Sequence, residues 1–295
     1  MQVVTARLPE NSGSIVDFVV KRTPAYDRTL LRSELHNQTA RSLRAFLTFD
    51  DDDTLAGVSF ARCASNLPEG AALVMVSTRD DLAAQGHGSA LWATTLAGME
   101  RDVHQLVTCV DADDPRSLSV ARHWGFQHVQ LSVTSSVVVA DCEAPKLATG
   151  LSVEACDDLT FDDEGAVDAM LLASQTNPEF DLGLAVTLQG LRETPAPGQR
   201  PVAVLTRVKQ RPAAISFAVS DGDQMHVVYT GVEPERRGQG IGRVTKQALH
   251  AHASDLGIRV ALADNEEGNV AIRRVNESLG YTLHRSWSWM MRPRS

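Results

Sequence analysis

The stretch TGVEPERRGQGIGRVTK, residues 230 to 246, joins an apolar segment to a helical pattern through closely spaced glycines. The segment before the glycines, QMHVVYTGV, has the composition of a strand ending at Val232, and helical periodicity begins near Gly242. The glycines are therefore expected at the N-terminus of a helix. At such a position unpaired N–H groups and the positive end of the helix dipole favour an anion.

The composition of this turn points to a phosphate as that anion. Gly238, Gly240 and Gly242 carry no side chain that would keep a phosphate from the backbone, and Arg236 and Arg237 can pair bidentately with phosphate oxygens. A Rossmann fingerprint requires G-x-G-x-x-G and a P-loop requires Gly-Lys followed by Ser or Thr, so neither fits GQGIG. The alternative is an ordinary turn whose glycines serve chain geometry alone.

The bulk composition is that of a globular protein with room for two domains. The chain has 295 residues, of which 43% are hydrophobic and 22% charged. It has no apolar run near the roughly 18 residues of a membrane span, and its first residues lack signal-peptide features, so a cytoplasmic protein is expected. A formal charge of −9 disfavours nucleic acid and anionic membranes and weakly favours an amine substrate.

The two halves of the sequence repeat one order of predicted elements. Gly88 and Gly242 are 154 residues apart, Gly125 and Gly280 are 155 apart, and the endings WGFQ and LGYT correspond. Such a long period indicates a duplicated domain rather than a solenoid. The elements predicted in the second half are a strand at 151–156, helices at 164–175 and 184–193, a three-strand meander over 201–232, a helix at 243–256, strand RVALA, a helix at 269–279, and a closing strand or hairpin in YTLHRSWSWMM.

The boundary between the halves is predicted in ADCEAPKLATG, residues 140 to 150, which follows a strand and carries little apolar content. The predicted domains are residues 1–143 and 150–295. Each combines helices with a mixed sheet, so the predicted fold class is α/β, of the α+β mixed-sheet kind, with two tandem domains.

The sequence around the glycine turn resembles the GCN5-related N-acetyltransferase (GNAT) family. The acyl-CoA motif of that family is Gln or Arg, two residues, Gly, one residue, then Gly or Ala, and Arg237, Gly240 and Gly242 match it. The order of elements and the ending NVAIRRVNESLGY are also similar. The resemblance implies two tandem GNAT acyl-CoA N-acyltransferase domains, similar to the double-domain mycothiol synthase type, with acetyl-CoA as co-substrate.

The resemblance also implies which residues bind the co-substrate. Backbone amides of the glycine turn would hold the CoA pyrophosphate, and the strand end at Val232 would pair with the pantetheine amides. Asn269 would cap the helix that touches CoA, with a plain helix N-cap as the alternative. The turn residues implied in this way are Arg237, Gly238, Gln239, Gly240, Ile241, Gly242 and Arg243.

The first half departs from the motif. It has QGHG at residues 85 to 88, but Ala83 stands where the second half has Arg237, and Asp80 and Asp81 place negative charge where a phosphate would lie. The first domain is therefore predicted to carry a degenerate CoA motif, and the second domain is predicted to be catalytic.

Acyl transfer to an amine benefits from a base, because an alkylamine with a pKa near 10.4 is only about one part in a thousand neutral at pH 7.4. By family position that base is His226, which can accept a proton near neutral pH. Tyr229 and Asp223 are nearby alternatives. Asn276 stands where many members carry a tyrosine that protonates the leaving thiolate, and Ala121 stands there in the first half. We expect Asn276 to position the co-substrate through hydrogen bonds, with helix packing as the alternative.

No metal site is expected. The four cysteines are far apart in sequence, and His250 and His252, two residues apart on a helix, face different sides. The expected partner is a small-molecule amine, and the sequence leaves open whether the protein is a monomer or a homodimer. Two alternative functions are a non-catalytic acyl-CoA sensor and an acetyltransferase that acts on protein amines.

Overall fold

The computed structural model describes residues 2–23, 26–36, 42–63, 67–175 and 186–294. It divides the chain into two compact units. One consists of Met1–Gln130 together with Trp287–Ser295, and the other of Leu131–Ser286. We call them the N-terminal unit and the C-terminal unit.

The N-terminal unit is a sheet with helices. Its sheet has the strand order β1-β2-β3-β4-β5-β12, in which β4 and β5 are parallel and the other pairs are antiparallel. The elements are β1 (Val3–Thr5), α1 (Ser12–Arg22), α2 (Arg28–His36), β2 (Ser42–Phe49), β3 (Leu55–Cys63), β4 (Ala71–Thr78), α3 (His87–Gly98), β5 (Gln105–Asp111), α4 (Pro115–His123) and the end of β12 (Thr282–Pro293).

The C-terminal unit repeats this arrangement. Its sheet has the order β6-β11-β10-β9-β8-β7, and β10 and β11 form its parallel pair. The elements are β6 (Gln127–Val138, from Leu131 onward), β7 (Leu151–Ala155), α5 (Glu164–Ser174), α6 (Leu188–Arg192), β8 (Arg200–Val208), β9 (Arg211–Asp221), β10 (Gln224–Val232), α7 (Ile241–Asp255), β11 (Val260–Glu266) and α8 (Val270–Ser278).

Each unit takes its last strand from the other half of the sequence. Residues Ser132–Glu266 through Val138–Val260 pair β6 with β11, and Trp287–Asp111 through Pro293–Gln105 pair β12 with β5. The units therefore differ from the contiguous ranges 1–143 and 150–295, and residues 140–150 lie inside the C-terminal unit. Strand periodicity reports which residues are strands, but it does not report their partners.

The local predictions agree with the structure at most elements, and the mixed α/β fold class is confirmed. The meander over β8, β9 and β10 is present, and the helix predicted at 243–256 is α7. YTLHRSWSWMM forms one long strand rather than a hairpin. The helix predicted at 184–193 is shorter, covering Leu188–Arg192, and residues 184 and 185 lie outside the described residues.

Two apolar clusters lie on the two sides of the C-terminal sheet. One contains Met225, Val227 and Leu249, so it joins β10 to α7. The other contains Phe217 and Leu171, so it joins β9 to α5. Because side chains alternate along a strand, His226 points away from α7, toward the side of α5.

Candidate active site

The parallel strands β10 and β11 part in the middle of the C-terminal unit. Their paired register runs from Gln224–Val260 to Val227–Ala263, whereas β10 continues to Val232 against β9 alone. A bulge between Val227 and Tyr229 interrupts the β9 ladder at the same point. The edge of β10 beyond Val227 is therefore free of β11, and its backbone can pair with an extended, amide-bearing ligand.

The glycine turn lies at the end of this parted strand. Gly240 is the N-cap of α7 with a φ of 77°, Gly238 has a φ of 75°, and no side chain caps the helix. The first N–H groups of α7 therefore lack intrahelical acceptors, as an anion site requires. A Cβ on Gly238 or Gly240 would meet no atom within 4 Å, whereas one on Gly242 would lie 3.1 Å from Val232 Cγ2.

These values change the reason for the glycines. Gly238 and Gly240 are needed because their left-handed φ values disfavour side chains. Gly242 is needed because α7 approaches Val232 closely. Gln239 and Ile241 stand between these glycines; the Gln239 side chain donates to the Glu235 carbonyl at 3.0 Å, and Ile241 is buried.

The Arg237 side chain anchors the turn to the rest of the unit. Its Nη2 donates to the Ser174 carbonyl at 2.9 Å, and its Nε donates to the Val232 carbonyl at 3.4 Å. Arg237 thus joins the end of α5 to the end of β10. Arg236 lies 3.5 Å from Glu233, and Arg243 is exposed in the first turn of α7.

His226 lies just before the point where the strands part. It is 3% exposed, and its Nε2 is 3.5 Å from Asp264 Oδ2 on β11. The hydroxyl of Thr134 on β6 donates to the other carboxylate oxygen of Asp264. A protonated His226 would therefore face a carboxylate that is held in place from the opposite strand.

Glu266 extends the acidic edge of β11. It lies two residues after Asp264, and thus on the same face of the strand. Burial raises the pKa of Glu266 to about 7. This carboxyl therefore exchanges protons close to neutral pH.

Tyr229 packs inside the parted region. Its hydroxyl lies 2.6 Å from Ser174 Oγ, and burial raises its pKa. Gly231 gives the ring its space, since a Cβ there would lie 2.6 Å from the Tyr229 hydroxyl and 2.5 Å from Ser174 Oγ. The structure therefore gives Tyr229 a packing contact with α5. Asp223 lies in the turn before β10 and pairs with Arg259 at 3.6 Å.

Asn276 is buried on α8, where it is 4% exposed. Its Oδ1 accepts a hydrogen bond from Lys246 Nζ at 2.5 Å, and its Nδ2 has no partner among the described residues. Asn269 is the N-cap of α8, and its Oδ1 accepts from the N–H of Ile272 at 3.3 Å. The expected cap is therefore confirmed, and a contact of Asn269 with a ligand stays a prediction.

The N-terminal unit contains a cavity of about 300 Å³ at the equivalent place. Its walls come from the outer part of β4, the end of β5, α4 and the turn at Gly86–Gly88. The parallel pairing of β4 with β5 ends at Leu73–Val107, while β4 continues to Thr78. Unlike β10, β4 pairs with its antiparallel neighbour β3 in an unbroken register.

The negative charge predicted at this turn is offset by arginines. Asp81 pairs with Arg79 at 2.5 Å, and Asp80 pairs with Arg22 at 2.5 Å and with Arg116 at 2.6 Å. The sequence around the turn shows the carboxylates alone, because two of the arginines that pair with them are distant in the chain. The assignment of a degenerate CoA motif to this unit stays a prediction.

Sequence reasoning missed three residues near the proposed site. Asp264 and Glu266 could have been found, since they alternate at the carboxyl end of a strand parallel to β10. Lys246 gave no such signal, because a lysine in the exposed-looking pattern VTKQALH is buried only by tertiary packing.

Neither a metal-type cluster nor a membrane span was found within the described ranges. No group of three or more His, Cys, Asp or Glu residues there could hold a metal ion. Likewise, no helix among these residues is long and apolar enough to cross a membrane.

Comparisons with known proteins agree with this geometry. Residues 180–262 match the family model "Acetyltransferase (GNAT) domain". A stretch of 63 residues is 40% identical to mycothiol acetyltransferase of Thermobispora bispora, and it covers 21% of each chain. The chain therefore matches about a fifth of the length of that relative.

Two solved structures share the fold over nearly the whole chain. A tandem GNAT protein from the clavulanic acid biosynthesis pathway, solved without acetyl-CoA, superimposes with a TM-score of 0.76 at 17% identity and covers 99% of this chain and 98% of its own. A GCN5-related N-acetyltransferase from Sphaerobacter thermophilus gives 0.71 at 13% identity, with 99% and 95% covered.

Proposed function

We propose that the chain is a tandem GNAT-type protein and that its C-terminal unit transfers an acyl group, acetyl in the simplest case, from CoA to a small-molecule amine. The transfer is direct, from thioester to amine. The observation that carries the proposal is the parting of β10 and β11 directly after the His226–Asp264 pair, with the glycine turn at the far end of the parted strand.

The residues at this position fit an acyl-CoA. The start of α7 offers uncapped N–H groups for the pyrophosphate, and the open edge of β10 up to Val232 offers groups for the pantetheine amides. Asn276 adds an amide N–H that has no partner among the described residues. When bound, acetyl-CoA supplies an acyl group activated as a thioester.

His226 would serve as the proton acceptor for the incoming amine. An alkylammonium must lose a proton before it can attack, at a cost of about 4 kcal/mol at pH 7.4. A histidine accepts that proton near neutral pH, and Asp264 stabilises the resulting imidazolium from 3.5 Å. The burial of His226 strengthens this attraction because little water screens it.

Tyr229 is assigned a supporting role. Its hydroxyl is engaged with Ser174 at 2.6 Å, and burial raises its pKa, so it stays a neutral donor. In that state it holds α5 against β10 beside the parted edge. This contact supports Tyr229 as a wall of the acceptor pocket rather than as the base.

Differences between the units support the C-terminal unit as the catalytic one. By strand register, Leu73 and Cys109 occupy the places of His226 and Asp264 in the N-terminal unit, so an acid–base pair is missing there. The bulge of β10 also has no counterpart in the β3–β4 pairing. Bulges are frequent beside active sites because they redirect backbone groups.

Two observations support a small cationic amine as the acceptor. Asp264 and Glu266 on β11 lie on the same face of the sheet as His226 on β10, and the chain carries a formal charge of −9. The name of the Thermobispora bispora relative describes acetylation of a small molecule.

The test is a CoA-release assay with acetyl-CoA and a panel of small amines, peptides with free N-termini, and lysine peptides. We expect turnover on one or more small amines, and a drop of at least about 100-fold in kcat for His226→Ala. Asp264→Asn, which keeps the size of the side chain, should lower kcat by a smaller factor. Leu73→Ala, at the equivalent place in the N-terminal unit, is the control and should retain wild-type kcat.

Two outcomes would contradict the proposal. Binding of acetyl-CoA without turnover on any amine would favour a sensor, and turnover on peptides alone would favour protein acetylation. Full activity of His226→Ala at every pH would remove His226 as the base.

A further inference from the structure

Lys246 is an unusual side chain for the centre of a helix packed on a sheet. It lies on α7, is 1% exposed, and has no ion pair with a carboxylate among the described residues. Its Nζ donates to Asn276 Oδ1 at 2.5 Å and lies 4.6 Å from the centre of the Tyr281 ring. One hydrogen bond and one cation–π contact therefore replace the water that a lysine normally binds.

The titratable groups around Lys246 are Cys142, His250 and Tyr281. Burial raises the pKa of the Cys142 thiol and of the Tyr281 phenol, and it lowers the pKa of His250 to about 3. All three are therefore uncharged at neutral pH. Burial also lowers the pKa of Lys246 to about 7. A neutral and a charged amine can both donate to Asn276, so the contact persists through this titration.

The internal repeat shows where this cluster lies. Lys246, Asn276 and Tyr281 correspond to Trp92, Ala121 and Phe126, by the offsets of 154 and 155 residues. All three counterparts line the cavity between β4 and β5 in the N-terminal unit. By this correspondence, the Lys246 cluster lies at the place in the C-terminal unit where the N-terminal unit has the wall of its cavity.

The contact with Lys246 determines which way the Asn276 amide faces. An asparagine amide has one acceptor end and one donor end, and a protonated Lys246 can only donate. Oδ1 must therefore point at Nζ, and Nδ2 points away from it. Asn276 is 4% exposed, and its Nδ2 has no partner among the described residues. The Nδ2 group is therefore a buried donor that a ligand can satisfy.

We propose that Lys246 is a positioning residue of the acyl-CoA site: it holds the Asn276 carbonyl oxygen so that the Asn276 amide N–H group donates to the thioester of the bound acyl-CoA. The inference rests on the proposed function, because it needs an acyl-CoA in the C-terminal unit. It adds a residue outside the glycine turn that sets the preference for a thioester ligand.

A purely structural lysine would behave differently. Methionine has nearly the same length and no desolvation cost, so a lysine kept only for packing would be replaced by methionine without loss. If Lys246 orients Asn276, removal of the lysine frees the Asn276 amide to rotate. The two cases therefore differ in ligand binding rather than in stability.

The experiment compares acetyl-CoA with desulfo-CoA, which lacks the sulfur and the acyl group. Binding is followed by hydrogen exchange of peptides from residues 233–243, so that it reports the C-terminal unit. The variants are Lys246→Met, Lys246→Arg as a conservative donor, and Asn276→Asp, which keeps the acceptor for Lys246 but loses the amide donor. Trp92→Phe, at the equivalent place in the N-terminal unit, is the matched control.

We expect Lys246→Met and Asn276→Asp to bind acetyl-CoA roughly tenfold more weakly than the wild type, which corresponds to the loss of one hydrogen bond from a buried donor. Both variants should bind desulfo-CoA as the wild type does. Lys246→Arg should recover part of the loss, and Trp92→Phe should show none. As a readout independent of ligand, the Cε resonance of Lys246 in ¹³C-lysine protein should titrate near pH 7. It is assigned by its absence in Lys246→Met, since Lys21, Lys146 and Lys209 are the other lysines.

The outcomes separate the two proposals. If the wild type binds acetyl-CoA and Lys246→Met binds both ligands equally well, the role of Lys246 is overturned while the proposed function stands. An equal loss for both ligands would also overturn it, because it would indicate general damage to the cleft. If the wild type binds no acetyl-CoA in the C-terminal unit, the proposed function itself fails.

Discussion

Lys246 should make the stability of the C-terminal unit depend on pH between 7 and 9. Burial lowers its pKa from 10.5 to about 7, so above pH 7 the folded unit holds it neutral while the unfolded chain keeps it protonated. Folding then releases a proton, and the free energy of unfolding rises with pH. The full shift corresponds to about 5 kcal/mol, of which about 2 kcal/mol is recovered between pH 7 and pH 9.

Other groups contribute little in this interval. His250 has a pKa of about 3 in the folded unit, so it alters stability only at pH values below its unfolded pKa of 6.5. Glu266 has a pKa of about 7, so it completes its titration at the start of the interval. The raised pKa values of the Cys142 and Cys156 thiols, the latter about 12, act in the opposite direction above pH 8 to 9, so they cannot produce a rise. A rise toward pH 9 therefore reports Lys246.

The measurement is native-state hydrogen exchange on peptides from α7, corrected for the intrinsic exchange rate at each pH. Lys246→Met should stabilise these amides at pH 7 by about 3 kcal/mol, after subtracting the lost hydrogen bond and cation–π contact. The substitution should also abolish the increase in the free energy of unfolding of these amides between pH 7 and pH 9. Lys209→Met is the control, because Lys209 lies in a surface turn. An unchanged slope in Lys246→Met, or a flat wild-type profile, would refute the argument.

Two further predictions concern the fold around the site. Gly231→Ala would place a Cβ 2.5 Å from Ser174 Oγ and 2.6 Å from the Tyr229 hydroxyl, so we expect urea unfolding to show a loss of about 2 to 3 kcal/mol in the free energy of unfolding. Gly165→Ala is the control and should be nearly neutral, because a Cβ at Gly165 would meet no atom within 4 Å. Deletion of residues 287–295 removes the strand that covers β5, including the buried Trp287, and should cost more than about 4 kcal/mol. Faster hydrogen exchange confined to β5 and its neighbouring strands in the deletion variant would confirm this prediction, and unchanged exchange in those strands would contradict it.

Local structure was predictable from the sequence, and long-range pairing was not. The meander, the glycine turn and the cap at Asn269 follow from periodicity, backbone freedom and side-chain hydrogen bonding within a few residues. The exchange of β6 and β12 depends on which edges meet in three dimensions, and both strands have similar apolar composition. For the same reason the sequence pointed to His226 as a candidate base but not to Asp264, which lies on a different strand.

The two units can be used as controls for each other, because the same turn and cleft carry different chemistry. Ala84 has a φ of 61° where Gly238 has a φ of 75°, so the N-terminal turn keeps a left-handed backbone even with a side chain that disfavours it. A turn kept only for packing could relax to a conformation that suits alanine. The retained backbone, the neutralised aspartates and the open cavity therefore indicate that the N-terminal cleft keeps its shape without the acid–base pair that we propose for the C-terminal unit. Binding and chemistry can thus be separated within one chain by transferring substitutions between equivalent positions.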